Sequence, residues 1–296
     1  SGKLEVKNAD ERKPVKVRHA ILDSEEFKTL WERIKHKTTY RVEFDNEKLI
    51  TDCIEGIKAF PAIPKTRLKW RKAEISIGKS GVDVLETAES APIYFEDRIS
   101  LPDIITDLQD KTQLTRATIV RILTECARLD EFKANPQLFI EIMTGIISKK
   151  KRMALVDGIK YQRLGEDFYY AQTLFESEEL SGYLRNMLPV KKSIHEHVVY
   201  DSPYVERGFA EDLEKNPAVK VYAKLPDWFK VPTPLGSYNP DWAVLIEMDG
   251  EERLYFVVET KSSLFTDDLR DVESGKIKCG EAHFKAIGQG DNPAKF

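Results

Sequence analysis

Residues 242–258 constrain this chain more than any other stretch, because two short apolar runs there flank an acidic turn that contains glycine. Trp242-Ala243-Val244-Leu245-Ile246 and Tyr255-Phe256-Val257-Val258 are rich in β-branched and aromatic residues, the composition of strands. Between them stands Glu247-Met248-Asp249-Gly250-Glu251-Glu252. Asp-Gly is a strong hairpin signal, since glycine tolerates the positive φ that tight turns require. Successive positions of both runs are apolar, so both faces of the hairpin need cover and the strands belong at the centre of a sheet. A loop of three residues, Asp249 to Glu251, sets Asp241 directly opposite Glu259. Other loop lengths shift the pairing by one position. Side chains alternate along a strand, which sends Glu259 and Lys261 to the same side.

An acid therefore opens one strand, in Asn239-Pro240-Asp241, and Glu259-Thr260-Lys261 closes the next. Two carboxylates are hard oxygen donors of the kind Mg²⁺ takes while keeping several waters. A metal there would polarise a phosphoryl oxygen and lower the pKa of a bound water. The carbonyl of Thr260 would add a third protein oxygen. Lys261 would hold the attacking water or offset charge building on the phosphate. This is the chemistry of phosphodiester cleavage. The competing reading is a Pro-Asp turn beside an ordinary surface glutamate and lysine.

The flanks extend the pattern. Ser202-Pro203 suits a helix cap and first turn, and Val205, Phe209 and Leu213 repeat every four residues. Ala218 to Leu225 reads as a strand, and Gly275 to Ile287 as a helix. The order is helix, strand, strand, strand, helix.

That order, with Pro-Asp and Glu-x-Lys on its second and third strands, resembles the PD-(D/E)xK nuclease core, an α/β fold with a mixed sheet flanked by helices. The stretch from Lys224 to Trp242, with Val257-Val258-Glu259-Thr260-Lys261, is similar to the C-terminal endonuclease domain of the Res (restriction) subunit of type III restriction–modification enzymes. The similarity covers roughly residues 195–290. It implies cleavage of duplex DNA with Mg²⁺, or Mn²⁺ in its place. It also implies assembly with a methyltransferase (Mod) subunit, and an ATP-driven helicase-like motor in the same polypeptide. Asp241 and Glu259 carry over as metal ligands and Lys261 as the catalytic lysine. Glu206 sits where the family's first helix carries its acid, although alone it reads equally as a solvated helix residue. Lys276, Lys278 and His283 fall on the helix after the site, where contact with DNA phosphate and a plain surface role are both open. One departure stands out. The core normally closes with a further strand, whereas here only Gly288 to Asn292 links the helix to Ala294-Lys295-Phe296. That strand is either very short or lies outside these residues.

A length of 296 residues suggests about two domains and allows large cores. A net charge of −4 argues against a strongly basic nucleic-acid coat but leaves room for local basic patches. No apolar run approaches ~18 residues and no signal peptide opens the chain, so no membrane is expected. Cys53, Cys126 and Cys279 stand far apart without a CxxC, which points to reduced structural thiols and a cytoplasmic location.

The first two-thirds of the chain are less specific. Asp23-Ser24-Glu25-Glu26 resembles a capping box, followed by a helix face of Phe27, Leu30, Trp31 and Ile34. Residues 39–44, 67–77 and 82–86 read as strands, 47–60 as a helix, and 101–188 as mainly helical with a strand near 160–165. The expected segments are 1–100, an α+β part following the motor; 101–195, a helical linker; and 196–296, the nuclease. Gly78-Lys79-Ser80 is not a phosphate-binding loop, because Ala73 stands where that motif needs glycine. His195 and His197 share a strand face with no third ligand nearby in sequence. Leu101–Lys111 and Leu114–Leu123 have the outline of a helix-turn-helix offering Thr115, Arg116, Thr118 and Arg121, although helix pairs packed only for structure are commoner. Lys149-Lys150-Lys151-Arg152 is a basic run that reads as a phosphate contact or a solvated helix end.

The expected function is thus the Mg²⁺-dependent endonuclease portion of an ATP-dependent type III restriction enzyme. Two other readings remain: another PD-(D/E)xK repair or junction nuclease, and a non-catalytic module that couples the motor and docks a partner.

Overall fold

The computed structural model describes residues 10–65, 67–68, 73–78, 81–86, 93–94, 101–177, 180–248, 252–260, 267–288 and 293–296. In chain order its longer helices are α1 (Glu25–Ile34), α2 (Asn46–Ala59), α3 (Ile104–Thr112), α4 (Arg116–Glu125), α5 (Leu129–Ala134), α6 (Pro136–Asp157), α7 (Glu206–Lys215) and α8 (Asp267–Ile287). The strands used below are β1 (Thr38–Val42), β2 (Ile159–Arg163), β3 (Val219–Lys224), β4 (Trp242–Met248) and β5 (Glu252–Val258). Helices and small sheets together make a mixed α/β fold. Packing divides the chain into two compact units, Ser1–Phe44 with Leu155–Phe296 and Asp45–Ala154.

The first unit is organised by β3, β4 and β5, which pair antiparallel in that spatial order. Met248 pairs with Glu252 and Trp242 with Val258, leaving 249–251 between the strands, the loop length expected from sequence. The apolar runs are covered on both faces, as their composition requires. Val221, Ala223, Ala243, Leu245, Tyr255 and Val257 point into a core with Phe27, Leu30, Trp31 and Ile34 of α1 and Phe284 and Ile287 of α8. Tyr222, Trp242 and Val244 point the other way, against Ala210 and Leu213 of α7. Burying a large apolar side chain of this kind contributes about 1.5–3 kcal/mol, so the register is strongly set.

α1 starts where Ser24 Oγ accepts a hydrogen bond from Phe27 N at 3.2 Å. The reciprocal half of a capping box is not formed, since Phe27 occupies the third helical position. Glu25 and Glu26 instead lie in the first turn, where they favour the helix dipole. α7 begins later than Ser202-Pro203 suggested. Ser202 Oγ accepts from Val205 N at 3.2 Å, so it closes the preceding turn, and the helix proper opens at Glu206. Past α8, Lys295 N donates to Tyr255 O at 2.7 Å and Lys295 O accepts from Val257 N at 2.8 Å. These bonds form a one-residue parallel bridge to Phe256.

α8 also packs on the β1–β2 ladder, in which Thr38 pairs with Arg163. There His283 is buried, its Nδ1 2.8 Å from Thr38 Oγ1. Burial pulls its pKa down to about 3, and that of buried His195 to about 4. Both imidazoles stay neutral in the folded chain but protonate near 6.5 once unfolded. Their neutral-state stability is full above pH ~6.5 and is lost as pH falls from there towards 3. Denaturant titrations at pH 7 and pH 5 should show a marked loss, up to roughly 1.4 kcal/mol per pH unit for each histidine. His283→Gln should show a clearly shallower dependence; an unchanged slope would refute this account.

The second unit is built on α2 to α6. Leu49, Ile50, Cys53 and Ile57 of α2 pack with Leu108, Ile119, Ile122, Phe139, Met143 and Ile147. All three cysteines are buried and free, and burial pushes Cys53 up to about 12 and Cys279 up to about 11. They behave as small apolar residues. Ala73–Gly78 and Gly81–Glu86 form a hairpin with Gly78 opposite Gly81, and no helix follows the glycine as a phosphate loop would need. Among the described residues no helix is long and apolar enough to cross a membrane.

Candidate active site

One end of the β3–β4–β5 sheet gathers Asp241, Glu259 and Glu206. Asp241 immediately precedes β4 and Glu259 follows β5, one step beyond the Trp242–Val258 pair. Asp241 Oδ2 accepts from Thr260 N at 2.7 Å and from Thr260 Oγ1 at 2.6 Å. The backbone carbonyl of Asp241 accepts from Leu225 N at 2.7 Å. Its carboxylate is thus fixed from β5 and its backbone from the end of β3.

Glu206, at the first turn of α7, reaches the same end of the sheet. Its Oε2 accepts from Lys224 Nζ at 3.1 Å and from Asp201 N at 2.7 Å. Lys224 closes β3 opposite Trp242 and also donates to Val199 O at 3.0 Å. Burial raises the pKa of Asp241, the hydrogen bonds from Thr260 oppose that rise, the Glu206 charge adds to it and Lys224 offsets it. Asp241 is therefore a half-buried carboxylate whose charge is opposed by burial and by Glu206 and is offset among the described residues by Lys224 and Thr260. A divalent cation would offset that charge, and two hard carboxylates suit Mg²⁺. Asp241, Glu259 and the Thr260 carbonyl are the residues that would hold it. Among the described residues no group of three or more His, Cys, Asp and Glu side chains is gathered tightly enough to hold a metal by itself. Lys261 lies outside the described residues.

Glu259 is steadied by a residue to which sequence reading gave no role: Tyr238 OH donates to Glu259 Oε2 at 2.7 Å. Lys224 was overlooked in the same way. A usable signal existed for Lys224, since a lysine that closes an apolar strand beside an acid at the edge of a sheet needs a partner. Tyr238 offered no such signal, because its placement depends on a turn and on a distant helix.

The other candidate residues are scattered. Lys276 pairs with Glu273 at 3.0 Å on α8, and Lys278 is exposed. The proposed DNA contact by His283 is corrected: only 3% of it is exposed, and it is spent on Thr38. Arg121 is held by Glu47 at 2.7 and 3.1 Å and by Glu125 at 3.2 Å, so its guanidinium is already engaged. Arg116 and Thr115 are exposed, but the Thr115 hydroxyl caps α4 by accepting from Thr118 N, and Thr118 is buried. Lys151 donates to the Thr112 carbonyl at 2.8 Å within its unit, and the basic run lies inside α6 rather than at a solvated end. His195 bridges Val17 in a buried position, away from any ligand cluster.

Known proteins share this region. Residues 191–294 match the family model of an endonuclease domain. Over 103 residues the chain is 35% identical to the Res subunits of the type III restriction–modification enzymes EcoPI, from Escherichia phage P1, and EcoP15I, from Escherichia coli. Residues 191–294 thus match an endonuclease domain and are similar to part of these Res subunits. The similarity takes in 34% of this chain and spans 10% of each of those relatives. No solved structure matches the chain. The endonuclease domain contains the whole β3–β4–β5 sheet, α7 and α8, and so every residue of the cluster described above.

Proposed function

We propose that the endonuclease domain hydrolyses phosphodiester bonds of duplex DNA with Mg²⁺, and that Mn²⁺ can replace it. The observation that carries this reading is the register of the buried hairpin, which puts Asp241 and Glu259 at one end with each carboxylate held by a hydrogen bond. A bound Mg²⁺ would polarise the phosphoryl oxygen and lower the pKa of a water. The protein does the rest. Thr260 and Tyr238 keep the two carboxylates in place, and Lys261 holds the attacking water or offsets charge on the phosphate. Lys224 and Glu206 bracket the site with a pair of opposite charges, and Glu206 takes the position of the first-helix acid. The order α7–β3–β4–β5–α8, with the closing bridge at Lys295, supports a PD-(D/E)xK core.

The similarity to Res subunits favours a type III site-specific deoxyribonuclease over a repair or junction nuclease. In that setting residues 1–100 follow a helicase-like motor, 101–195 link it to the nuclease, and 196–296 cut. ATP is consumed by the motor, outside these residues. A Mod methyltransferase is the partner, and the location is cytoplasmic. Lys276, Lys278 and Arg116 remain candidate phosphate contacts. Plasmid cleavage by the complete enzyme should stop in EDTA and return with Mg²⁺ or Mn²⁺. Cleavage that persists in EDTA would overturn the metal-dependent reading.

A further inference from the structure

We infer that Tyr238 is a positioning residue for the nuclease: its hydroxyl fixes the Glu259 carboxylate, and a glycine on α8 fixes the tyrosine. The inference rests on the function proposed above and adds a residue that the known similarity does not assign. Tyr238 is 3% exposed, and its hydroxyl donates to Glu259 Oε2 at 2.7 Å. Its backbone is clamped on both sides, with Tyr238 N donating to Val231 O at 2.9 Å and Val231 N to Tyr238 O at 2.7 Å. The approach to it is set by a turn at 233–236, in which Gly236 has φ +103°, a left-handed conformation open to glycine at little cost.

The ring is then pinned from α8. A Cβ at Gly280 would overlap Tyr238 Cε1 and lie 2.9 Å from its Cδ1. A Cβ at Gly275, five residues earlier, would lie 2.6 Å from Leu235 Cδ1. Two glycines of α8 therefore let the helix settle onto the 235–238 segment. Phe296 adds an edge contact to the ring, with centroids 6.2 Å apart. A buried tyrosine held on so many sides cannot follow its partner. Glu259 has to conform to Tyr238, and this is how a surrounding hydrogen bond orients a ligand carboxylate. Core packing alone would be served equally well by phenylalanine.

Tyr238→Phe keeps the ring and removes only the hydroxyl. In the 296-residue chain, Mn²⁺ binding is read by calorimetry and by the metal-induced rise in Tm, alongside Glu259→Gln as a control. Tyr238→Phe should bind Mn²⁺ about 10–100-fold more weakly while its metal-free Tm stays near that of the wild type. In the complete enzyme the same change should lower kcat and raise the Mg²⁺ concentration needed for half-maximal cutting, with KM for DNA unchanged. Gly280→Ala should reproduce the metal defect by displacing the ring, and adding it to Tyr238→Phe should cost much less than the sum of the two. Wild-type affinity for Mn²⁺ in Tyr238→Phe, with Glu259→Gln impaired, would overturn this inference and leave the proposed function standing. A wild-type chain indifferent to Mn²⁺ at millimolar concentration would overturn both.

Discussion

Asp241→Ala should reduce DNA cleavage by the assembled enzyme by roughly a thousandfold or more, with Glu259→Ala and Lys261→Ala close behind. Each removes a charged group to which the proposed mechanism gives a role. Asp241 is the most direct test, because its carboxylate is held by Thr260 N and Oγ1 at the end of the sheet. Loss of function should come without loss of fold. Burial raises the Asp241 pKa, so in the metal-free protein its ionised form at neutral pH works against folding. The isosteric Asp241→Asn should therefore raise rather than lower the metal-free Tm, with its side-chain oxygen still accepting from Thr260. It should also abolish stabilisation by Mn²⁺, which for the wild type amounts to about 2.7 kcal/mol at a metal concentration of 100 Kd. Such a pattern, more stable and inactive, is what a site built against folding stability produces. Full cleavage by Asp241→Ala would remove this residue from the mechanism.

The sheet and its register were legible in the sequence because they depend on local signals. Two apolar runs and an Asp-Gly turn leave few alternatives for Trp242 to Val258, and register follows from loop length. From that register alone Asp241 and Glu259 come together. What escaped depends on contacts far apart in sequence. The stripe Phe27, Leu30, Trp31, Ile34 announced a helix but not its destination, the face of a sheet some 200 residues later. Tyr238 reads as one aromatic in a proline-rich loop; its aim depends on the Val231 backbone pair and on Gly280 of α8, both distant in sequence from Glu259. His283 was misjudged for the same reason. On an isolated helix it looks like a surface cation, and packing of α8 against Thr38 turns it into a buried neutral ring. Arg121 carried a plausible phosphate contact until Glu47 of α2 was placed beside it. Local chemistry names the candidates, and tertiary contacts decide which of them are already taken.

The isolated chain should cut supercoiled plasmid faintly and without sequence preference, and the complete enzyme should cut efficiently. In the proposed function the groups at the end of the sheet address phosphate: Asp241 and Glu259 through a metal, with a Lys224–Glu206 pair at the margin. Phosphate contacts set position and carry no base information directly. The paired helices α3 and α4 supply no obvious reader either, since Thr118 is buried, Thr115 is a cap and Arg121 is tied to Glu47. Charge leads to the same expectation. At −4 the chain lacks the basic excess that holds a protein on duplex DNA at physiological salt. Many of its cations are also neutralised in place, as Lys276 is by Glu273 and Lys224 by Glu206. Weak, nonspecific nicking with Mg²⁺ or Mn²⁺ should therefore appear only at high protein concentration and fade steeply as salt rises. Mapping the ends after incubation with plasmid tests this directly. Scattered ends fit a nuclease that takes its address from a methyltransferase partner and its permission from a motor. Efficient cutting at one defined sequence would place recognition within residues 1–296 and would withdraw the type III reading.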